Sequence, residues 1–230
     1  MAAVKNGSII CWRGIPLYLT FLAMKNTKKE PSEKILSYTF EEFVDRVKSF
    51  HGFEAIGVMV GGFMVDLAYR YLSTKGLFDA VCETPKCLPD AVQLLTPCTI
   101  GNGWLTVVDV GRFALTLYDK ETGVGVRVFV DPVKLEAWPE LKAWFLKLKT
   151  KKEQDSDRML DEVRRVGAGI CGVEHVKVVD RIRQKRHRDG FAICLVCKEA
   201  YPATDGPRCL ACQGERLYET VAREVTDRQP

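Results

Sequence analysis

The chain has 230 residues, 47% of them hydrophobic and 28% charged, which is enough for one sizeable core and a satellite unit. Its 34 basic and 30 acidic side chains leave a net charge of +4, too mild to select a nucleic-acid or membrane-surface partner by charge alone. Nine cysteines do not make it a secreted disulfide scaffold, because such scaffolds are short and core-poor; a reducing, cytoplasmic setting is the expectation.

The first segment holds an apolar run, Ser8 to Met24, preceded by Lys5 and interrupted by Arg13 and Pro16. It has the outline of a signal segment, but it lacks a small-residue cleavage site and is too short to span a bilayer. Residues 1–23 therefore read as an over-extended start or a loose tail, and residues 1–37 as an N-terminal tail. A helix is predicted from Thr39, where Thr39 and Glu42 have capping-box spacing. Phe40, Phe43, Val44 and Val47 then recur on one face up to the stop at His51-Gly52.

Gly57 to Leu72 is apolar nearly all round and reads as a buried helix. Its paired Gly61-Gly62 should be compensated by close packing against another backbone. Phe78 to Thr84 is predicted as a buried strand and Pro89 to Leu95 as a short helix with proline in its first turn. Trp104 to Val110, Phe113 to Asp119 and Val124 to Asp131 then suggest an antiparallel meander. Leu135 to Leu148 carries Trp138, Leu141, Trp144 and Phe145 at helical spacing. The basic stretch Lys147 to Lys152 marks the expected domain boundary, near residue 150. Beyond it come a short amphipathic helix, Asp157 to Val166, and an extended arm, Val173 to Ile182.

Two Cys-x-x-Cys pairs, Cys194/Cys197 and Cys209/Cys212, are separated by eleven residues that include Pro202, Gly206 and Pro207. Each pair curls two thiolates around one ion, and the turn-rich spacer returns the chain to complete a tetrahedron of sulfur, the shell zinc prefers in structural sites. A closed shell leaves no place for an activated water, so the expected role is support. The metal should supply folding free energy that so few apolar residues cannot. An iron–sulfur cluster or a redox dithiol pair would use the same ligand types.

A weaker constellation sits in the first domain, where His51 ends a helix and Cys82, Cys87 and Cys98 surround the strand–loop–helix segment. His51 and Cys87 are expected in neighbouring loops, as a second metal or ligand site. The plainer reading is a capping histidine and cysteines packed as small hydrophobes. The run Lys177, Arg181, Arg183, Lys185, Arg186, His187 and Arg188 makes a basic arm suited to nucleic acid, although no aromatic residues interleave with it, as they would in a stacking surface.

Taken together, Phe50-His51-Gly52 with Gly57, Glu83-Thr84 with Cys87-x-x-Asp90-Ala91-x-Gln93, Thr99-x-Gly101-x-Gly103 and Gly123-x-Gly125-Val126-Arg127-Val128 resemble the formylmethanofuran dehydrogenase E-subunit family. The resemblance covers about residues 38–135 and 190–213. It implies an α+β fold with N-terminal helices packed on a mainly antiparallel sheet (38–150), a helical linker and basic arm (151–189), a small zinc ribbon (190–216) and a short tail (217–230). It further implies a homodimer and an accessory role beside the other components of a molybdenum or tungsten oxidoreductase, which carry the catalytic centre. Family members follow Phe-His-Gly with a second histidine, a cysteine and a proline; here those positions are Phe53, Ala55 and Ile56. The loss of an imidazole and a thiol reduces any metal or redox site in this domain to His51 and Cys87, or removes it.

Overall fold

The computed structural model describes residues 34–73, 76–184, 190–215 and 217–218. The apolar run Ser8 to Met24 and the basic residues Lys185, Arg186, His187 and Arg188 lie outside the described residues.

Residues 34–37, expected as part of the tail, belong to the folded domain. Strands β1 (Lys34–Ile35) and β2 (Tyr38–Thr39) form a small antiparallel hairpin. Ile35 is fully buried in the main core, and the Leu36 N–H donates to Asp66 Oδ1 at 3.1 Å. Two short strands leave no periodicity long enough to detect in the sequence.

Helix α1 (Phe40–His51) starts on the capping box: Glu42 N–H donates to Thr39 Oγ1 at 3.2 Å, and Thr39 N–H donates to Glu42 Oε2 at 2.8 Å. Gly52 closes it with φ 93°, donating its N–H to the Lys48 carbonyl at 3.0 Å. Helix α2 (Ile56–Tyr71) runs through the middle of the domain, buried along most of its length. Its glycine pair accommodates side chains rather than another backbone. A Cβ on Gly61 would lie 2.7 Å from the Ala91 Cβ, and one on Gly62 would strike the Phe43 ring. Asp66, a carboxylate inside this apolar helix, is neutralised by Arg70 one turn on and by the Leu36 N–H.

The main sheet holds β3 (Phe78–Cys82), β4 (Leu105–Val107), β5 (Ala114–Asp119), β6 (Val124–Val130) and β7 (Cys171–Lys177) in the order β4-β3-β5-β6-β7. Strands β5 and β6 form a hairpin, and β7 pairs antiparallel with β6 after a long connection. Strand β4 is separated from β5 by β3, to which it pairs in parallel after a crossover through α3 (Leu88–Leu95). The expected three-strand meander from Trp104 is thus corrected. Turn residues identify where strands end, but not which strand lies beside which. Ala80, Cys82, Leu115, Leu117, Val126 and Val128 point from one face of the sheet onto α2 and its neighbours, which closes the α+β core.

The core also extends past residue 150. Helix α4 (Pro139–Phe145) and helix α5 (Ser156–Val166) pack together, with Met159 and Val163 in the core and Leu141 N–H donating to Glu162 Oε2 at 2.9 Å. The segment expected as an extended arm forms β7, which pairs along its whole length with β6, followed by the short helix α6 (Asp180–Arg183). The polar stretch after α4 is a surface loop between two packed helices; by composition alone a loop and a linker look the same. Among the described residues, no helix is long and apolar enough to cross a membrane.

On the outer face of the sheet, Glu83 is buried between two arginines. Arg127 donates through Nε and Nη2 to its two carboxylate oxygens at 2.6 and 3.1 Å, and Arg112 Nε lies 2.6 Å from Oε2. Burial acts to raise Glu83, but Arg127 and then Arg112 outweigh it, so the carboxyl sits below its ordinary pKa. Arg127 also reaches Glu174 on β7 at 2.8 Å, linking β3, β6 and β7.

Candidate metal centre and the His51 cluster

The C-terminal module is built on a hairpin of β8 (Phe191–Ile193) and β9 (Ala200–Pro202). Cys194 follows β8 directly and is fully buried; the turn Cys194 to Cys197 joins the strands, with Lys198 N–H donating to the Cys194 carbonyl at 2.8 Å. The second pair is placed differently. Cys209 is the N-cap of the short helix α7 (Leu210–Gln213), and Cys212 lies within it. Tyr201 Oη donates to the Gly206 carbonyl at 2.9 Å and Gln213 Nε2 to the Asp205 carbonyl at 2.8 Å, drawing the spacer over the hairpin.

This folding brings the four sulfurs to within 4.8 Å of one another. The Cys197 and Cys209 sulfurs are 3.6 Å apart, too far for a disulfide and close to the roughly 3.8 Å separation of thiolates on a tetrahedral ion with 2.3 Å bonds. The backbone N–H groups of Cys197 and then Cys209 are directed at the Cys194 sulfur and hold its pKa down to about 6. Cys212, crowded first by the Cys209 sulfur, is pushed up to about 12. Four thiols this close cannot all ionise beside one another unless a cation compensates their charge. Among the described residues, this is the group of three or more His, Cys, Asp or Glu side chains with ligand atoms arranged to hold a metal ion. The donor set therefore fits a thiophilic metal held by Cys194, Cys197, Cys209 and Cys212.

The first domain places His51 and Cys87 at one end of its helices, joined through Asp90. This carboxylate, in the first turn of α3, takes His51 Nδ1 at 2.6 Å. Cys87 is the N-cap of α3 and has φ 60°, a left-handed conformation that is costly for a residue with a Cβ. Gly57 makes room for it: a Cβ there would lie 2.6 Å from the Cys87 sulfur and 3.4 Å from Trp144. Burial first and Asp90 next raise the Cys87 thiol pKa, against the opposing effect of Lys147 and Lys86. Phe53 stacks edge-on to His51 with centroids 4.9 Å apart, and the Lys147 ammonium stands 5.7 Å from the Trp144 ring centroid. The imidazole is thus held by a carboxylate, and the thiol and the Trp144 indole both lie close to Gly57. Spacing three residues after Cys87 is the one sequence sign of Asp90; nothing local points to Trp144 or Lys147. Cys82 and Cys171 are buried strand residues, their thiols pushed up to about 12 by burial, and Cys98 is buried as well.

The basic arm is partly used up in structure. Arg183 lies along Gly123, donates from Nη2 to the Lys120 carbonyl at 3.2 Å and to the Glu121 carbonyl, and pairs with Asp180 at 3.1 Å. It anchors α6 to the β5–β6 turn.

Likeness to known proteins follows the same two regions. A family model described as FmdE, molybdenum formylmethanofuran dehydrogenase operon, matches residues 50–180, more than half of the chain. The chain belongs to the FmdE family. A second model, the FmdE treble clef zinc finger, matches residues 185–219, in keeping with a first cysteine pair on a hairpin turn and a second at the start of a helix. The FmdE match continues through α5 and β7, as the packing does. A crystal structure of an FmdE-like protein, named for tungsten formylmethanofuran dehydrogenase and taken from Syntrophus aciditrophicus, is 51% identical, with a TM-score of 0.76 over 83% of this chain and 99% of that one. A curated protein of Archaeoglobus fulgidus, described as a probable S-adenosyl-L-methionine-binding protein, is 35% identical over 208 residues. The alignment takes in 78% of this chain and 54% of that protein, so the chain spans about half the length of this curated relative.

Proposed function

We propose that this FmdE-family chain is a zinc-binding accessory protein that does not itself catalyse a reaction. In this reading it works as a cytoplasmic homodimer beside a molybdenum- or tungsten-type oxidoreductase. The observation that carries it is the four-sulfur cluster: a shell complete in Cys194, Cys197, Cys209 and Cys212 leaves a zinc ion no open position for substrate or water, so the ion acts as support. The cluster around His51 and Cys87 in the first domain is then the place for a partner or small ligand.

Elemental analysis of anaerobically purified protein tests this division. One zinc per chain is expected, with Cys194→Ser losing it and His51→Ala keeping it. A second metal that disappears in His51→Ala would replace the accessory reading with a metalloenzyme centred on His51 and Cys87. Nucleic-acid binding has less support, because Arg183 is committed to the β5–β6 turn; charge reversal at Arg181 with a flat salt response would dismiss it.

The Archaeoglobus relative's name favours a second reading, a small-molecule site for a sulfonium nucleoside at the His51 end. A cationic ligand there would take the place of the Lys147 ammonium, which stands over the Trp144 ring at 5.7 Å from its centroid. Calorimetric titration with S-adenosylmethionine should give saturable heat that Trp144→Ala abolishes; no heat at millimolar ligand would dismiss it.

A further inference from the structure

His51 is held through one of its two ring nitrogens. An ionised carboxylate accepts hydrogen bonds and donates none, so the 2.6 Å contact with Asp90 Oδ2 places the ring proton on Nδ1. The neutral imidazole then presents Nε2 as a hydrogen-bond acceptor, and that nitrogen has no partner among the described residues. Beside it stands Phe53, in the loop between α1 and α2. The two rings meet at 64° with centroids 4.9 Å apart, and Phe53 is 60% exposed. A lone exposed phenylalanine needs no explanation. One that forms a corner with an imidazole of fixed tautomer offers a flat ligand both an apolar face and an acceptor for its edge. Three metal-ligating atoms do not converge at this corner: among the described residues, the group that could hold an ion is the four-cysteine cluster.

We propose that this corner is a nucleobase subsite, in which an adenine ring lies on the exposed face of Phe53 and donates an N–H from its edge to His51 Nε2. This rests on the reading of the cluster as a sulfonium-nucleoside site and names the part of the ligand that His51 recognises. The exocyclic amino group of adenine supplies the donor, and its rings supply the face for stacking. Neither contact requires a charge on the base. The cationic end of the ligand is left to the Trp144 ring, where the Lys147 ammonium stands. Asp90 is a positioning residue in this arrangement: it touches no ligand atom, but by taking the Nδ1 proton it keeps Nε2 an acceptor.

Calorimetry on the full zinc-loaded chain tests the proposal with adenosine and with purine riboside, which has the same rings without the amino group. Adenosine should bind, and purine riboside should bind about 5-fold more weakly, the effect of one hydrogen bond. In His51→Ala the two nucleosides should bind alike. Phe53→Ala should weaken both, and S-adenosylmethionine with them, by about 10-fold through lost stacking; as an exposed loop residue it can be replaced without opening the core. Nitrogen-15 NMR of the histidine rings should find the His51 proton on Nδ1, and a proton on Nε2 overturns the proposal. Equal affinity of the parent for the two nucleosides, or S-adenosylmethionine bound by Phe53→Ala as tightly as by the parent, places the base elsewhere. Either result overturns the subsite and leaves the sulfonium-nucleoside reading intact. No heat from S-adenosylmethionine or adenosine at millimolar concentration overturns both.

Discussion

The sheet domain and the cysteine module solve the same problem, a stable core, by opposite means. In the sheet domain α2 is buried along most of its length and rests on five strands whose inner faces are almost wholly aliphatic. The module has only Cys194 and Tyr201 buried among its described hydrophobic residues. One is therefore held by burial of apolar area, the other by a metal and a few hydrogen bonds. The contrast shows where each region is vulnerable: the first to cavities and unpaired charges, the second to loss of its ion.

The sharpest way to separate the two is to remove the ion. A strong chelator, or Cys194→Ser, should abolish protection of the Tyr201 and Cys212 amides in hydrogen exchange while the amides of β5 and β6 stay protected. Loss of protection in both regions together would mean that they form one cooperative unit. Next in size is a cavity in the sheet domain. Leu117→Ala, at a fully buried strand position, should cost about 3 kcal/mol in denaturant unfolding and leave zinc content unchanged.

Arg127→Leu should have an effect of similar or slightly smaller size, about 2–3 kcal/mol at neutral pH. It leaves the buried Glu83 carboxylate with Arg112 alone. The effect should depend on pH. The Glu83 pKa is depressed in the folded protein, so its ion pairs stabilise fully above the unfolded value of about 4.3 and lose that contribution as pH falls through the lower folded value. The deficit of the variant should therefore shrink in acid; a deficit constant from pH 7 to pH 3 would assign it to lost packing of the Arg127 side chain. The smallest effect is expected from Thr39→Ala, which removes the α1 cap and should lower sheet-domain stability by about 1 kcal/mol. If it lowered zinc retention as well, the independence of the two regions would fail.

What was legible in the sequence follows the range of the forces involved. The α1 cap, the buried α2, the helix after Cys87 and the four cysteines depend on residues a few positions apart, and spacing carries that information. The ligand set needs only two short pairs and a turn-rich spacer. Strand order is different, because β3 reaches its place between β4 and β5 through contacts with partners tens of residues away. For the same reason the loop after α4 looks like a domain boundary: α5 and β7 join the core only through packing against residues far upstream.

The His51 cluster divides along the same line. Histidine and cysteine are recognisable as reactive residue types, but the structure alone decided that Asp90 takes the imidazole and that Gly57 leaves room for the Cys87 side chain. The sequence by itself determined helices α1 to α3, the α1 cap and the four cysteines of the C-terminal cluster, because hydrogen bonding and chelation act over a few residues. Only the tertiary structure decided the sheet order, the extent of the first domain and the neighbours of His51 and Cys87, since burial and ion pairing join residues without regard to their separation along the chain.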